Sequence, residues 1–293
     1  MHTVWIIGAD GLLGKELQEA CKRFDWTVYC TDKETDIGNI DALRAYAVDK
    51  KIDHIVNCAA YTNVDKAESE PDASRYVNSI GAGNVALVAA EKKAVLIHIS
   101  TDFVFNGSVN APYDETSEPS PCNVYGMSKL EGEIAVCRTC AEYFIIRTAW
   151  LFGRYGDNFV TAMLDRFLQK KDTQVVADQF GSPTYAADLA EAVCAMITSN
   201  STEFGIYHFV NEGIASRYEF ANAVFFYAQR AELLESRVAI KPVSSEDYGM
   251  KAKRPAYSAL STEKYKTVFH HVILPWQDAL ERFITTLTVK GNS

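Results

Sequence analysis

The 293-residue chain has no apolar run near the roughly 20 residues that a helix needs to cross a bilayer, so no membrane span is expected. Surplus positive charge is also missing: 29 Lys and Arg stand against 38 Asp and Glu, a net charge of −9. Binding to a phosphate backbone relies on Lys and Arg that displace counterions, so this balance argues against a nucleic-acid partner. An anionic small substrate would need a local cluster of donors. The N-terminal MHTVWIIGADGLLG has only a short apolar run before Gly8, with no basic segment ahead of it and no small-residue cleavage site. No secretory leader is expected from it. The seven cysteines (21, 30, 58, 122, 137, 140 and 194) are an odd number and mostly lie in apolar segments, the usage of reduced thiols in a cytoplasm. Cys137 and Cys140 form a C-x-x-C, but no second pair or nearby His completes a zinc site. They are expected to be thiols at a helix end, and no metal site is predicted.

The chain does have the composition of an ordinary globular protein, and it is long enough for one large domain or two unequal lobes. Through the first half, short β-rich runs alternate with helical stretches. TVWII (3–7), WTVYC (26–30), HIVNCAA (54–60), AVLIHIS (94–100) and YFIIRTAW (143–150) read as strands. LLGKELQEACKRF, IDALRAYAVDKK and a long stretch at 72–92 read as helices. Strands so continuously apolar are buried on both faces, and their alternation with helices predicts an α/β fold, a doubly wound parallel sheet of Rossmann-like type. His54 and His98 fall inside strands and are expected in the core or at a sheet edge. Beyond residue 150 the pattern loosens. TQVVA (173–177) and GIYHFV (205–210) suggest further strands, AADLAEAVCAMI and RYEFANAVFFYAQRA suggest helices, and KPVSSEDYGMKAKRPAYSALS reads as loop. Residues 1–150 are therefore expected to form the main domain, with 151–293 completing the sheet and adding a smaller lobe.

After the first strand comes Gly8-Ala9-Asp10-Gly11-Leu12-Leu13-Gly14, a G-x-x-G-x-x-G that opens an amphipathic helix. Glycines here permit a tight turn and close approach of a pyrophosphate, which the unpaired N–H groups of the helix N-terminus attract. A merely structural turn is the bland alternative, but the strand–loop–helix position favours a dinucleotide. Asp32, just past the second strand, could accept hydrogen bonds from an adenosine ribose, whereas the adjacent Lys33 would suit a 2′-phosphate. NADPH and NADH therefore both remain candidates. Asp36 and Ile37, in the next polar loop, could hold the adenine edge; a plain turn competes with that reading.

The fourth strand ends in Ser100-Thr101, at the sheet edge where parallel sheets bind ligands. A following helix carries VYGMSKLEGE, with Tyr125 and Lys129 on one face at i, i+4. Alone, such a pair is usually surface decoration. Behind a glycine loop and a strand-end hydroxyl, it suits proton transfer. A phenol has a pKa of about 10 and is a sluggish acid or base at neutral pH. A nearby ammonium stabilises the phenolate; bringing the pKa to neutrality takes about 4 kcal/mol of such preference. General acid–base catalysis works best with a pKa near the working pH.

Gly8/Gly11/Gly14, NCAA, Ser100-Thr101 and Tyr125-x-x-x-Lys129 together resemble the extended short-chain dehydrogenase/reductase superfamily. NCAAYTNVDKAESEP, STDFVFNG, PCNVYGMSKLEGE, DQFGSPT and KRPAYSAL narrow the resemblance to the dTDP-4-dehydrorhamnose reductase family, over residues 3 to about 286. The resemblance implies a cytoplasmic enzyme that reduces the C4 keto group of a nucleotide-activated deoxysugar. Tyr125 would protonate the C4 oxygen, Lys129 would bind the nicotinamide ribose and lower the Tyr125 pKa, and Thr101 would hydrogen-bond the reacting oxygen beside Ser100. Asn78 would support the lysine, and Ala59, Ala60 and Tyr61 would line the cofactor channel. Trp150, Asn158, Gln179 and Arg254 would contact the sugar nucleotide, with core packing the alternative for Trp150 and simple solvation for Arg254. Where relatives more often have Arg-Arg before the proline, this chain has Lys253-Arg254, which replaces one forked donor with a point charge. Relatives can also associate through acidic residues and a divalent cation, and Glu16 lies near the glycine loop where such a contact could fall in a homodimer.

Two other readings remain open. An epimerase or dehydratase of the same superfamily is one, although dehydratases tend to carry Asp-Glu after the strand-end Thr and here Asp102-Phe103 follows. The other is a non-catalytic regulator resembling the regulatory subunit of methionine adenosyltransferase, which the intact Thr101/Tyr125/Lys129 set disfavours.

Overall fold

The computed structural model describes residues 2–234 and 238–289. A six-stranded, all-parallel sheet runs through its centre, built from β1 (Thr3–Ile7), β2 (Thr27–Thr31), β3 (His54–Asn57), β4 (Val95–Thr101), β5 (Tyr143–Thr148) and a last strand, Gly205–His208. Their order is β2, β1, β3, β4, β5 and then Gly205–His208. The chain winds outward from β1 to β2, and the connection from β2 to β3 then passes back over β1, so the winding reverses at β1/β3, the place where doubly wound sheets open a ligand crevice.

Apolar strands are required here because both faces of the sheet are covered. Val4 and Ile6 of β1, Ile97 of β4 and Phe144 and Ile146 of β5 pack on α1 (Leu12–Cys21) and the helix Ala186–Ser199. The alternate residues Trp5, Ile7, Leu96 and Ile145 pack on α2 (Ile40–Ala47), α5 (Ala82–Lys92) and α6 (Val124–Thr139). This period-2 division follows from successive side chains pointing to opposite faces. Trp5 is fully buried and its indole N–H donates to Thr31 Oγ1 at 2.9 Å, so the one polar atom it takes inside is satisfied. A separate cluster, with Phe152, Phe220 and Phe283 at its centre, holds together the helices Phe159–Leu168, Arg217–Arg230 and Trp276–Val289. Among the described residues no helix is long and apolar enough to cross a membrane.

Three local expectations change. The stretch 72–92 is not one helix: α3 (Val64–Ala67) and α4 (Pro71–Arg75) lead into a π-helical turn, Tyr76–Gly81, before α5. The wider turn carries Asn78, whose side chain accepts from Tyr61 N at 2.8 Å and donates to Tyr61 O and to Ser128 Oγ, both at 3.0 Å. The segment expected as loop contains the strand Ile240–Val243 and the short helix Ser245–Tyr248. Pro242 hides that strand, which is tolerated because it pairs only with Thr173–Val176, away from the main sheet. TQVVA thus forms a strand, but in this two-stranded ribbon. Finally, α2 stops at Ala47, short of the expected lysines.

Candidate active site

A cleft of about 980 Å³ opens along the C-terminal ends of β1, β3, β4 and β5. Its lining includes Gly8, Asp10, Gly11, Leu12, Leu13 and Gly14 of the glycine turn, then Asp32, Asp36 and Ile37, then Ala59, Ala60 and Tyr61. At the far end lie Ser100, Thr101, Tyr125, Lys129 and Trp150. Asn158, Gln179 and Arg254 are not in that lining. Asn158 caps the helix Phe159–Leu168, accepting from Val160 N and Thr161 N. Gln179 donates to Ser245 Oγ at 2.9 Å. Arg254 is held by Asp65 through contacts of 3.1 and 2.7 Å, an ion pair joining segments far apart in the chain.

The glycine turn has the shape the sequence calls for. Gly8 has φ +78°, and a Cβ there would sit 2.6 Å from Ala59 N, so only glycine lets β1 pass this close to the end of β3. The cap of α1 is Gly11, which offers no side chain to the first-turn N–H groups. Those donors and the positive end of the helix dipole face the cleft and suit a pyrophosphate. Further along, the buried Thr148 Oγ1 lines the same cleft and has no hydrogen-bond partner among the described residues. Both features fit a dinucleotide. Beside the glycine turn, Asp32 accepts from Asp10 N and from Lys33 N, each at 2.9 Å, and Asp32 N donates to Glu34 Oε1 at 2.8 Å. Asp36 holds Tyr76 Oη at 2.9 Å.

At the reacting end, α6 is brought in by its cap. Asn123 accepts from Gly126 N at 2.7 Å and donates to Lys253 O at 2.8 Å. Gly126 packs so closely on the loop after β4 that a Cβ would lie 2.1 Å from Phe103 O. This contact sets Tyr125 beside Thr101, with Phe103 edge-on to the Tyr125 ring at 5.8 Å. Burial pushes the phenol up to about 12; the Thr101 side chain works against that shift and the Asp102 charge adds to it. Lys129 is almost wholly buried and donates to the Ile99 carbonyl of β4 at 2.7 Å. Burial pulls its ammonium down to about 8, against the opposing charge of Glu133 and Cys58. The expectation that Lys129 lowers the Tyr125 pKa is therefore corrected: desolvation dominates, and the phenol stays protonated at neutral pH. A proton donor to a forming alkoxide needs that state.

Ser100 lines the cleft, but its hydroxyl donates to Glu133 Oε1 at 2.5 Å. Glu133 is in turn buried against Arg147 in a two-point ion pair of 2.9 and 2.7 Å. Thr101 Oγ1 accepts from Phe103 N and donates to Asp102 Oδ1.

Among the cleft residues that sequence reasoning did not assign to the site are Thr148, Asp102 and Arg217. Burial lifts the Asp102 carboxyl to about 6, against hydrogen bonds from Ser258 and Thr101 and the charge of Arg217. Arg217 opens the helix Arg217–Arg230, and the Ser216/Glu219 capping box before it was legible. Its place over Trp150 was not, because that contact joins segments far apart in the chain.

The sheet order, the glycine turn at the β1/β3 crevice and a tyrosine–lysine helix facing the ends of β4 and β5 define a Rossmann-like dinucleotide fold of the extended short-chain dehydrogenase/reductase type. Residues 1–289 match the family model described as RmlD substrate binding domain. The chain is 40% identical over 287 residues to the spore coat polysaccharide biosynthesis protein SpsK of Bacillus subtilis (strain 168), covering 97% of each. It is 38% identical over 284 residues to the dTDP-4-dehydrorhamnose reductase of Mycolicibacterium smegmatis, covering 96% of this chain and 84% of that one. Among solved structures, the dTDP-4-dehydrorhamnose reductase of Bacillus anthracis in complex with NADP superposes with a TM-score of 0.91 at 41% identity, covering 97% of this chain and 99% of that one. The chain belongs to the dTDP-4-dehydrorhamnose reductase family.

Proposed function

We propose that this chain reduces the C4 keto group of dTDP-4-dehydro-L-rhamnose to give dTDP-L-rhamnose in the cytoplasm, using NADPH or NADH. The observation that carries this reading is the placement of the Thr101 and Tyr125 side chains together in one cleft with the glycine turn. The N–H groups after Gly11 would hold the pyrophosphate, Asp32 the adenosine ribose and Lys129 the nicotinamide ribose. Bound there, a reduced nicotinamide supplies the hydride. Tyr125, protonated at neutral pH, donates its proton to the C4 oxygen as negative charge develops there. The Thr101 hydroxyl can turn from Asp102 to the same oxygen and fix its position. The apolar wall at Phe103 keeps water from the proton path. In an assay, wild-type protein with dTDP-4-dehydro-L-rhamnose should consume the reduced cofactor and yield a rhamnose product identifiable by NMR. Tyr125→Phe should lose that activity while still binding cofactor; an active Tyr125→Phe protein would overturn the assignment.

A further inference from the structure

We propose that Arg217, braced on the Trp150 indole, receives the diphosphate of the nucleotide-sugar substrate; this rests on the sugar-nucleotide reading above. An acidic chain that binds a dianionic substrate must set a cation in the cleft for it, and few are available. Lys33 lies at the adenosine end, and Lys129 is turned to the Ile99 carbonyl at the reacting end. Arg254, the arginine that the sequence singled out, is already paired with Asp65. Arg217 lines the cleft, and among the described residues no carboxylate lies within ion-pair distance of it. The acid nearest in effect is Asp102, whose two oxygens are taken by Thr101 Oγ1 at 3.1 Å and Ser258 Oγ at 2.5 Å.

The geometry around Arg217 is that of a prepared anion site. Its guanidinium lies 3.6 Å from the Trp150 ring centroid and 5.3 Å from that of Phe159. Stacking fixes the plane of the fork and leaves its N–H edge available for two-point contact with phosphate oxygens, which a lysine could not make. Trp150 is itself held in an uncommon conformation, with φ +46°. It fits only because Gly181 has no side chain: a Cβ there would meet the indole at 2.7 Å. A non-glycine residue held in this region marks a place where the surroundings over-determine the backbone. Burial pulls the Arg217 pKa down to about 9, and Arg254 adds a like charge from nearby, so an arriving anion relieves a cost already built into the fold. Arg217 also stands close to Asp102, next in sequence to Thr101, and so at the reacting end of the cleft rather than at the glycine turn.

Calorimetric titration of the full-length protein with thymidine, dTMP and dTDP tests the assignment without turnover. Wild type should gain affinity as phosphates are added. Arg217→Gln should weaken dTDP by about 10- to 100-fold, the effect of losing hydrogen bonds to a charged group, while leaving thymidine and NADP within about twofold. Arg217→Lys, which keeps the charge, should retain more dTDP affinity than Arg217→Gln. Equal dTDP affinity in wild type and Arg217→Gln, equal losses for thymidine and dTDP, or identical losses in the Lys and Gln variants would each overturn it. Wild type that binds dTDP in this graded way but never reduces the keto-sugar would sink the reductase reading and leave the arginine site standing.

Discussion

The ammonium of Lys129 donates a 2.7 Å hydrogen bond to the main-chain carbonyl of Ile99, one strand residue before Ser100. That bond ties α6, the helix that presents Tyr125, to the end of β4, the strand that presents Thr101. Because Lys129 is buried and its pKa is pulled down to about 8, it also makes the site sensitive to mild alkali. Affinity for the reduced cofactor, read by nicotinamide fluorescence, should fall as pH rises through about 8, where Lys129 loses its charge. Stability should change in the opposite direction. Between about 8 and the ordinary 10.5, the unfolded chain binds the proton that the folded chain has released, so folding becomes more favourable as pH rises through that window. Cofactor affinity that stays flat across it would show that the Lys129 charge does not hold the dinucleotide.

Gly126 tests how finely the reacting groups are set. Gly126→Ala forces a methyl against Phe103 O, so α6 must shift away from the loop after β4. Displacements of this order cost about 100-fold in rate when they separate reacting groups. The expected result is a loss of kcat of that size, with far-ultraviolet circular dichroism unchanged.

Cofactor choice should follow the acids at the ribose end. Asp32 is fixed by Asp10 N and Lys33 N, and Glu34 sits on the Asp32 amide, so a 2′-phosphate would meet two carboxylates against the single charge of Lys33. NADH should therefore give the higher kcat/KM. Asp32→Asn should shift the NADPH/NADH ratio toward NADPH by about tenfold, the effect of about 1.4 kcal/mol. A wild-type preference for NADPH would show that Lys33 outweighs the acids.

Glu133 and Arg147 form an ion pair that is almost wholly buried, with Ser100 as a further donor to the carboxylate. Glu133→Ala leaves the Arg147 cation uncompensated inside the protein, which costs about 3–5 kcal/mol. Urea denaturation should show an unfolding free energy lower by that amount, whereas Ser100→Ala, which removes one donor and leaves the pair, should cost only about 1 kcal/mol.

Much of this molecule could be read from its sequence because the signals were local. All six strands of the main sheet, GIYHFV (205–210) among them, announced themselves as apolar runs, and the glycine spacing after β1 marked a turn that only glycine can make. Tyr125 and Lys129 share a helix face by spacing alone. The π-helical turn at Asn78 was not legible, since it exists to bring that side chain to Tyr61 and Ser128 in other segments. Arg254 read as a substrate contact from its motif, yet it pairs with Asp65, 189 residues away. Arg217 read as the first residue of an ordinary helix.

The sequence by itself determined the α/β class, the position of the glycine turn and the shared helix face of Tyr125 and Lys129, because periodicity, glycine geometry and helical spacing act over a few residues. Only the tertiary structure decided the electrostatics of the cleft. Burial depends on which segments pack together, and packing raised Tyr125 and Asp102, lowered Lys129, paired Arg254 with Asp65 and stacked Arg217 on Trp150 in the cleft.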